Sequence, residues 1–318
     1  MSRPKMLTLE RDCAIRDAED STYAYYGLAR SEKRIAVNSG FGEVVVRVST
    51  FDGREDVPPV VLLHGIGSAT VLAAPFLRFL KGRRVIAIDW PGHGLSEGVI
   101  LPMGVDMRTH ATSVIRSLLD ALDYEQVDLV GHSMGAQFAL YGGLDLGPRV
   151  RRLVVLGAPG AGFVGIRPLP AMKLLARPRL GPLALSRPPS DKQFDRFNDL
   201  ALGAGALERH SSDLRLTLRL LADRTENGPS LASFFRGFLR RGAVRPGIAL
   251  DERELGRITQ PTLVIWGDED VFLKPLEAAR SVVAIRDAHS FRLAGAGHAP
   301  WLQDPYLVGT ALARHLDD

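Results

Sequence analysis

The sequence predicts an α/β protein: a doubly wound, mostly parallel sheet of eight strands with a helical cap inserted between two of them. Three observations carry this. Short apolar runs recur along the chain, each ending at Gly, His or Asp. Helical periodicity fills most of the gaps between them. One stretch, from about 162 to 250, holds helical patterns but no buried strand.

Taken in order, residues 1–32 are polar with a Tyr cluster (Tyr23, Tyr25, Tyr26). They read as an N-terminal extension, one helix of low order at its start. Residues 1–20 contain no apolar run and so do not form a secretory signal. Ile35 and Val37, then Val44, Val46 and Val48, alternate with other residues about Ser39-Gly40, which is the pattern of a hairpin. The runs 59–63, 85–88, 127–130, 153–156 and 262–266 are apolar almost throughout. Such runs suit strands of a parallel sheet, which helices cover on both faces. Residues 291–293 are a further strand-like segment. Between the runs, 73–80, 107–122 and 134–144 repeat apolar residues at helical spacing. Alternation of this kind gives βα units, and ligands then gather at the carboxyl ends of the strands.

The interrupting stretch opens with Pro-rich turns at 167–170, 177–178 and 187–189. Helical patterns follow at 194–207, 213–221 and 231–239. It is too long for a plain loop. The core is therefore assigned to 33–160 and 251–318, and the cap, or lid, to 161–250.

Composition narrows the function classes. The chain of 318 residues is 46% hydrophobic, enough to bury a full core. The formal net charge is +4; residues 161–260 carry 17 Lys and Arg against 10 Asp and Glu. These basic residues are scattered, with no continuous tract and no interleaved aromatics, so no nucleic-acid partner is expected. The apolar runs reach about six residues, whereas a membrane span needs about 20, so no integral membrane segment is expected. Cys13 is the single cysteine. No internal disulfide can form, which suits the cytoplasm.

The chemistry lies in four loops. Gly131-His132-Ser133-Met134-Gly135 follows a strand and opens a helix, the setting in which G-x-S-x-G forms a nucleophile elbow. Side chains beside so tight a turn would clash, hence the glycines. The Met134 N–H then sits at a helix N-terminus, aimed at a developing oxyanion. His64-Gly65-Ile66-Gly67 follows an earlier strand, and its glycines let the Ile66 N–H serve as the second donor. His64 itself reads as structural. Gly295-Ala296-Gly297-His298 follows the 291–293 strand and precedes a helix capped by Asp304 with Pro305 at its first position. His298 is the base for Ser133. Gly267-Asp268-Glu269-Asp270 follows a strand and lies between Ser and His in sequence. Asp270, the most distal of its carboxylates, is chosen to orient the imidazole, with Asp268 as runner-up. The remaining histidines form no i, i+4 pair and no zinc-type grouping. No metal or organic cofactor is expected.

In this order, these residues resemble the α/β-hydrolase superfamily over about 33–160 and 255–316. The likeness rests on the four loops and on Asp89-Trp90-Pro91-Gly92-His93-Gly94-Leu95-Ser96. It implies the α/β-hydrolase fold, the Ser133–His298–Asp270 triad, the Ile66 and Met134 oxyanion hole, and a helical cap over the site. Haloalkane dehalogenases and most epoxide hydrolases of this fold carry Asp as nucleophile, and Ser133 argues against both. Proline iminopeptidases usually show a Gly-Gly-Ser-Trp-Gly elbow, which is absent. The C–C bond hydrolases use the same three residue types and often place Trp straight after the His. Ala299 stands there instead, with Trp301 two residues on.

The first reading is therefore a carboxylic ester or thioester hydrolase working by two-step acyl transfer. The alternative is a C–C bond hydrolase, lyase or cyclase using the same triad. A non-enzymatic ligand receptor comes third. The expected partner is a small-molecule substrate with an apolar acyl part. Leu169, Met172, Leu174, Leu175, Leu180, Leu183 and Leu185, with Phe234, Phe235 and Phe238, are candidates to line its pocket or to pack the cap onto the core.

Overall fold

A computed structural model of the chain describes residues 3–317, with side chains from residue 8 onward. The alternating valines pair as expected: β1 (Ser31–Asn38) runs antiparallel to β2 (Glu43–Phe51), with Ile35 opposite Val46 and Val37 opposite Val44. The apolar runs become β3 (Val60–Leu63), β4 (Val85–Asp89), β5 (Val127–His132), β6 (Val150–Leu156), β7 (Thr262–Gly267) and β8 (Ala288–Leu293). The eight-stranded sheet has the order β1-β2-β4-β3-β5-β6-β7-β8. β2 joins β4 antiparallel, and all pairings from β4 to β8 are parallel.

The central strands are buried on both faces, which is why they read as continuous apolar runs. Asp128 interrupts one of them, and the interior compensates its charge with Arg151 at 2.6 Å and Arg83 at 3.2 Å. The chain leaves β3 toward β4 on one side and later resumes with β5 on the other. The winding therefore reverses beside β3, and the loops after β3 and β5 flank the crevice this creates.

Helices Met107–Ala121 and Met134–Asp145 stand where the spacing places them. The final helix, Pro305–Asp317, starts at Asp304, whose Oδ1 accepts the Leu307 N–H at 2.8 Å. The segment 73–80 is not one helix. It is a 3₁₀ turn (Thr70–Ala73), one α turn (Ala74–Leu77) and a second 3₁₀ turn (Arg78–Leu80). No side chain caps any of these turns, and residues 70–77 are buried, so packing holds the segment.

Between β6 and β7 the chain forms helices Asp191–Leu202, Ser212–Ala222 and Gly228–Phe238. Two shorter helices, Pro170–Leu175 and Leu180–Ala184, occupy the stretch read as Pro-rich turns. Pro170 fits there because the first helical position needs no N–H partner. A small hairpin pairs Leu239–Arg240 with Ala243–Val244.

The N-terminal extension is a helix, Arg3–Tyr25, packed on the cap helix Ser212–Ala222. The low order expected at the very start, at Met1 and Ser2, lies outside the described residues. Ile15, Ala18, Glu19, Thr22, Tyr23 and Tyr26 are buried along one stripe at helical spacing. Arg11 reaches the cap at Glu226, 2.8 Å, and the Tyr26 hydroxyl meets His210 at 3.1 Å. On the core side, Glu19 forms a fully buried bidentate pair with Arg47, which also meets Asp89 at 2.8 Å and Glu32 at 3.6 Å. This helix thus joins the helical segment between β6 and β7 to the sheet.

Candidate active site

The elbow is strained as its sequence requires. Ser133 has φ 55° and ψ −119°, left-handed backbone that costs a non-glycine residue of order 1–3 kcal/mol. The flanking glycines are dictated by backbone. A Cβ at Gly131 would lie 2.3 Å from the Gly135 carbonyl oxygen, and one at Gly135 would lie 2.1 Å from that of Leu63. The elbow is therefore wedged against the end of β3, and Ser133 keeps 9% of its surface exposed.

The loop after β3 lies beside it. A Cβ at Gly65 would fall 3.1 Å from Ser133 Cβ. The Ser68 N–H donates to the Gly65 carbonyl at 3.2 Å, which turns the loop about half-buried Ile66. Neither the Ile66 N–H nor the Met134 N–H donates to an acceptor among the described residues. His64 is structural: its Nε2 accepts the Trp90 N–H at 2.9 Å and its Nδ1 donates to the Gly65 carbonyl at 2.7 Å. Burial lowers its pKa, with Asp89 opposing, and keeps the ring neutral.

His298 Nδ1 lies 2.8 Å from Asp270 Oδ2. Asp270 is fully buried and also accepts the Ala158 and Phe272 N–H groups, each at 2.9 Å. Burial raises its pKa, but the His298 charge and these hydrogen bonds outweigh burial, so the net shift is downward. The neighbouring carboxylates face elsewhere. Asp268 lies 3.7 Å from Arg292, and Glu269 lies 3.1 Å from Lys274. Of the three, Asp270 is the one that meets the imidazole.

Some residues around the site carried little signal in the sequence. His132 donates from Nε2 to the His298 carbonyl at 3.1 Å, its ring 4.8 Å from the His298 ring and 4.7 Å from that of Trp301. Burial, then the His298 charge, pushes its pKa well down. His132 thus ties the elbow to the His298 loop. Trp301 turns inward, and its indole N–H donates to the Leu72 carbonyl at 2.8 Å. Gly157, at φ 67°, passes so close to His298 that a Cβ would meet its carbonyl oxygen at 2.4 Å. From the cap, the Ala201 carbonyl accepts the His298 N–H at 3.2 Å. Asp89 fastens its own loop by accepting the Leu95 N–H at 2.9 Å and ties it to the segment after β3 by accepting the Thr70 N–H at 3.3 Å.

Helix Gly228–Phe238 packs on the loops after β3 and β4. Leu231 approaches Gly67, Phe234 packs on His93 at 4.9 Å, and Phe238 stacks on Phe138 at 6.1 Å. Phe234, Phe235 and Phe238 are buried. The expected pocket leucines divide. Leu169, Met172, Leu175 and Leu185 are half-buried, but Leu174, Leu180 and Leu183 face outward, 43%, 41% and 68% exposed. Helix Leu180–Ala184 rests on Ala232 through Gly181, which leaves Leu180 and Leu183 of that helix at the surface. Two surface depressions, about 250 and 460 Å³, lie at residues 79–83 and 36–43, away from Ser133.

A strained serine, a carboxylate-bound imidazole and uncommitted N–H groups are thus gathered at the carboxyl ends of β3, β5, β7 and β8. The fold and sequence have known counterparts. The sequence profile described as "Alpha/beta hydrolase family" matches residues 60–308. The chain is 31% identical to a 2-hydroxy-6-oxononadienedioate/2-hydroxy-6-oxononatrienedioate hydrolase from Paraburkholderia xenovorans, over 86% of this chain and 91% of that one. Its counterpart from Cupriavidus pinatubonensis is 30% identical over 82% and 87% of the two chains. The crystal structure of a Bacillus subtilis carboxylesterase superposes with a TM-score of 0.74 at 19% identity, covering 96% of this chain and 98% of that one. The profile match, the two relatives and the fold together make this chain a member of the alpha/beta hydrolase family.

Proposed function

We propose that this hydrolase acts through Ser133, His298 and Asp270, and that the bond it breaks is a carbon–carbon bond beside a ketone. The observation that carries the choice of bond is the likeness, over nearly the full length of both chains, to hydrolases of 2-hydroxy-6-oxo dienedioates. The His298–Asp270 hydrogen bond supports the choice of residues.

In this reading His298 takes the Ser133 proton as Oγ adds to the ketone carbon. The Ile66 and Met134 N–H groups hold the oxyanion. Collapse breaks the adjacent C–C bond, and its electron pair stays on the departing carbon. That carbanion is accessible only when conjugated to a second carbonyl, which confines the substrates to vinylogous or β-dicarbonyl compounds. A 2-hydroxy-6-oxo diene meets this once its enol has shifted to the 2-keto-3-ene tautomer, a proton moving from the hydroxyl to the departing carbon. His298 returns its proton to the departing carbon. A water deprotonated by His298 then splits the acyl-enzyme into a carboxylic acid and free Ser133. Asp270 holds the imidazole tautomer and stabilises the imidazolium. No step calls for a metal or organic cofactor. The exposed, unpaired Cys13 fits a reducing, cytoplasmic setting.

Ester hydrolysis is the second reading. It is favoured by Ala299, which stands where C–C hydrolases often carry Trp, while Trp301 is committed to the core. The test offers the enzyme a 2-hydroxy-6-oxo dienedioate, followed by the loss of its visible absorbance, beside p-nitrophenyl acetate and butyrate. Faster consumption of the dienedioate supports C–C cleavage. Ester turnover without it moves the enzyme to the esterases.

A further inference from the structure

The cap presents a cationic and apolar face. Two stretches build it, 159–190 and 227–250, which together hold nine Lys and Arg and no Asp or Glu. The fold lays them side by side. The short helices Pro170–Leu175 and Leu180–Ala184 pack on helix Gly228–Phe238. A Cβ at Gly181 would lie 3.3 Å from Ala232, and one at Gly242 would lie 3.6 Å from the Lys173 stem.

Lys173, Arg177, Arg179 and Arg241 are exposed. Among the described residues none of them makes an ion pair or side-chain hydrogen bond. Four core arginines, Arg83, Arg108, Arg149 and Arg151, are by contrast paired. In helix Gly228–Phe238, half-buried Arg236 has an Nη1 without a hydrogen-bond partner among the described residues. Between the free cations stand the outward leucines Leu174, Leu180 and Leu183.

We propose that this face, carrying Leu174, Leu180 and Leu183 among unpaired Lys173, Arg177, Arg179 and Arg241, docks on the surface of an anionic lipid bilayer. Charge complementarity favours an anionic partner, and the leucines decide which kind. An acidic protein surface would satisfy the cations but leave the apolar side chains without a place. A bilayer interface takes both, with leucines in the acyl boundary and cations at the headgroups. Helix Gly228–Phe238, which backs this face, carries Leu231 over Gly67, so this helix links the docked surface to the loop after β3. The proposal does not depend on which bond the enzyme cleaves.

The test is co-sedimentation of the full chain with phosphatidylcholine vesicles, with and without 30% phosphatidylglycerol, at 0.1 and 0.5 M NaCl. Binding is expected to the anionic vesicles at low salt and to fall at high salt. Each basic side chain near such a surface is worth about fivefold in partitioning, so Arg177→Glu with Arg179→Glu is expected to weaken binding at least about 25-fold. Leu180→Ser with Leu183→Ser is expected to weaken it about tenfold or more. All four positions are exposed, and an unchanged Tm confirms that each variant is folded. Absence of binding to anionic vesicles, or equal binding to neutral ones, overturns the proposal. So does binding that survives loss of the leucines, which would make the face a patch for acidic macromolecules.

Discussion

The backbone N–H of His298 donates to the carbonyl of Ala201 at 3.2 Å, so the loop carrying the imidazole hangs on the last turn of a cap helix. Gly297 makes this approach feasible, because a Cβ there would lie 2.4 Å from the Leu202 carbonyl oxygen. Gly297→Ala must push loop and helix apart. Misplacing the base by a few tenths of an ångström to 1 Å is expected to lower kcat by about 10–100-fold, with a smaller change in KM. Steady-state kinetics check this, and an unchanged circular dichroism spectrum confirms that the fold persists.

The three carboxylates after β7 make a controlled comparison. Asp270→Asn keeps the shape but offers His298 an amide, which can favour the wrong imidazole tautomer. Turnover is expected to fall about 10²–10⁴-fold. Asp268→Asn, at a half-buried position 3.7 Å from Arg292, is expected to stay within about twofold. Parallel kcat measurements on the two variants decide it. Equal losses would mean that the hydrogen bond between Asp270 and His298 is not what orients the base.

Much of the fold was legible because burial on both faces leaves a plain trace. β3, β4, β5, β6 and β7 are apolar runs, and the Ser133 elbow is bracketed by glycines whose places are set by contacting backbone. The N-terminal helix was harder to read. Its buried stripe includes Glu19 and Thr22, so hydrophobic periodicity misses a face whose contacts are partly ionic. The segment 73–80 carries helical spacing but breaks into one α turn between two 3₁₀ turns under packing. Leu180 and Leu183 look like pocket residues by composition, yet contact between Gly181 and Ala232 turns them outward. The links of His132 and Ala201 to His298 join residues distant in sequence, and no local pattern announces them.

Glu19 gives that ionic stripe an energetic test. It is fully buried on Arg47, 2.5 and 2.7 Å from its two nitrogens. Glu19→Ala leaves part of a buried guanidinium unpaired and is expected to cost about 3–5 kcal/mol. Because Arg47 also holds Asp89 at 2.8 Å, the loop that follows β4 is expected to loosen as well. Urea denaturation measures the first effect, and amide exchange at Leu95, whose N–H Asp89 accepts at 2.9 Å, measures the second.

Acid is expected to weaken the fold through two buried imidazoles. Burial pushes the pKa of His93 down to about 3 and that of His110 down to about 4. Above the unfolded value, near 6.5, both states are neutral and the groups have no effect. Below it the unfolded chain takes up protons that the native state refuses, so stability is lost as pH falls from about 6.5 toward 4. Each histidine contributes about 1.4 kcal/mol per pH unit. His110→Gln can keep the partners of this ring, the Trp90 indole N–H and the Ser39 carbonyl, and is expected to reduce the slope by one proton. Unfolding free energies at pH 7, 6, 5 and 4.5 provide the check.

The most direct test of the whole account follows the visible absorbance of a 2-hydroxy-6-oxo dienedioate mixed with wild type and with Ser133→Ala. The account predicts rapid loss with the wild type, formation of one carboxylic acid per C–C bond broken, and a rate at least about 10³-fold lower in the variant. Undiminished consumption by Ser133→Ala would contradict the assignment of Ser133 as nucleophile, and an inert dienedioate beside brisk ester turnover would contradict the carbon–carbon bond.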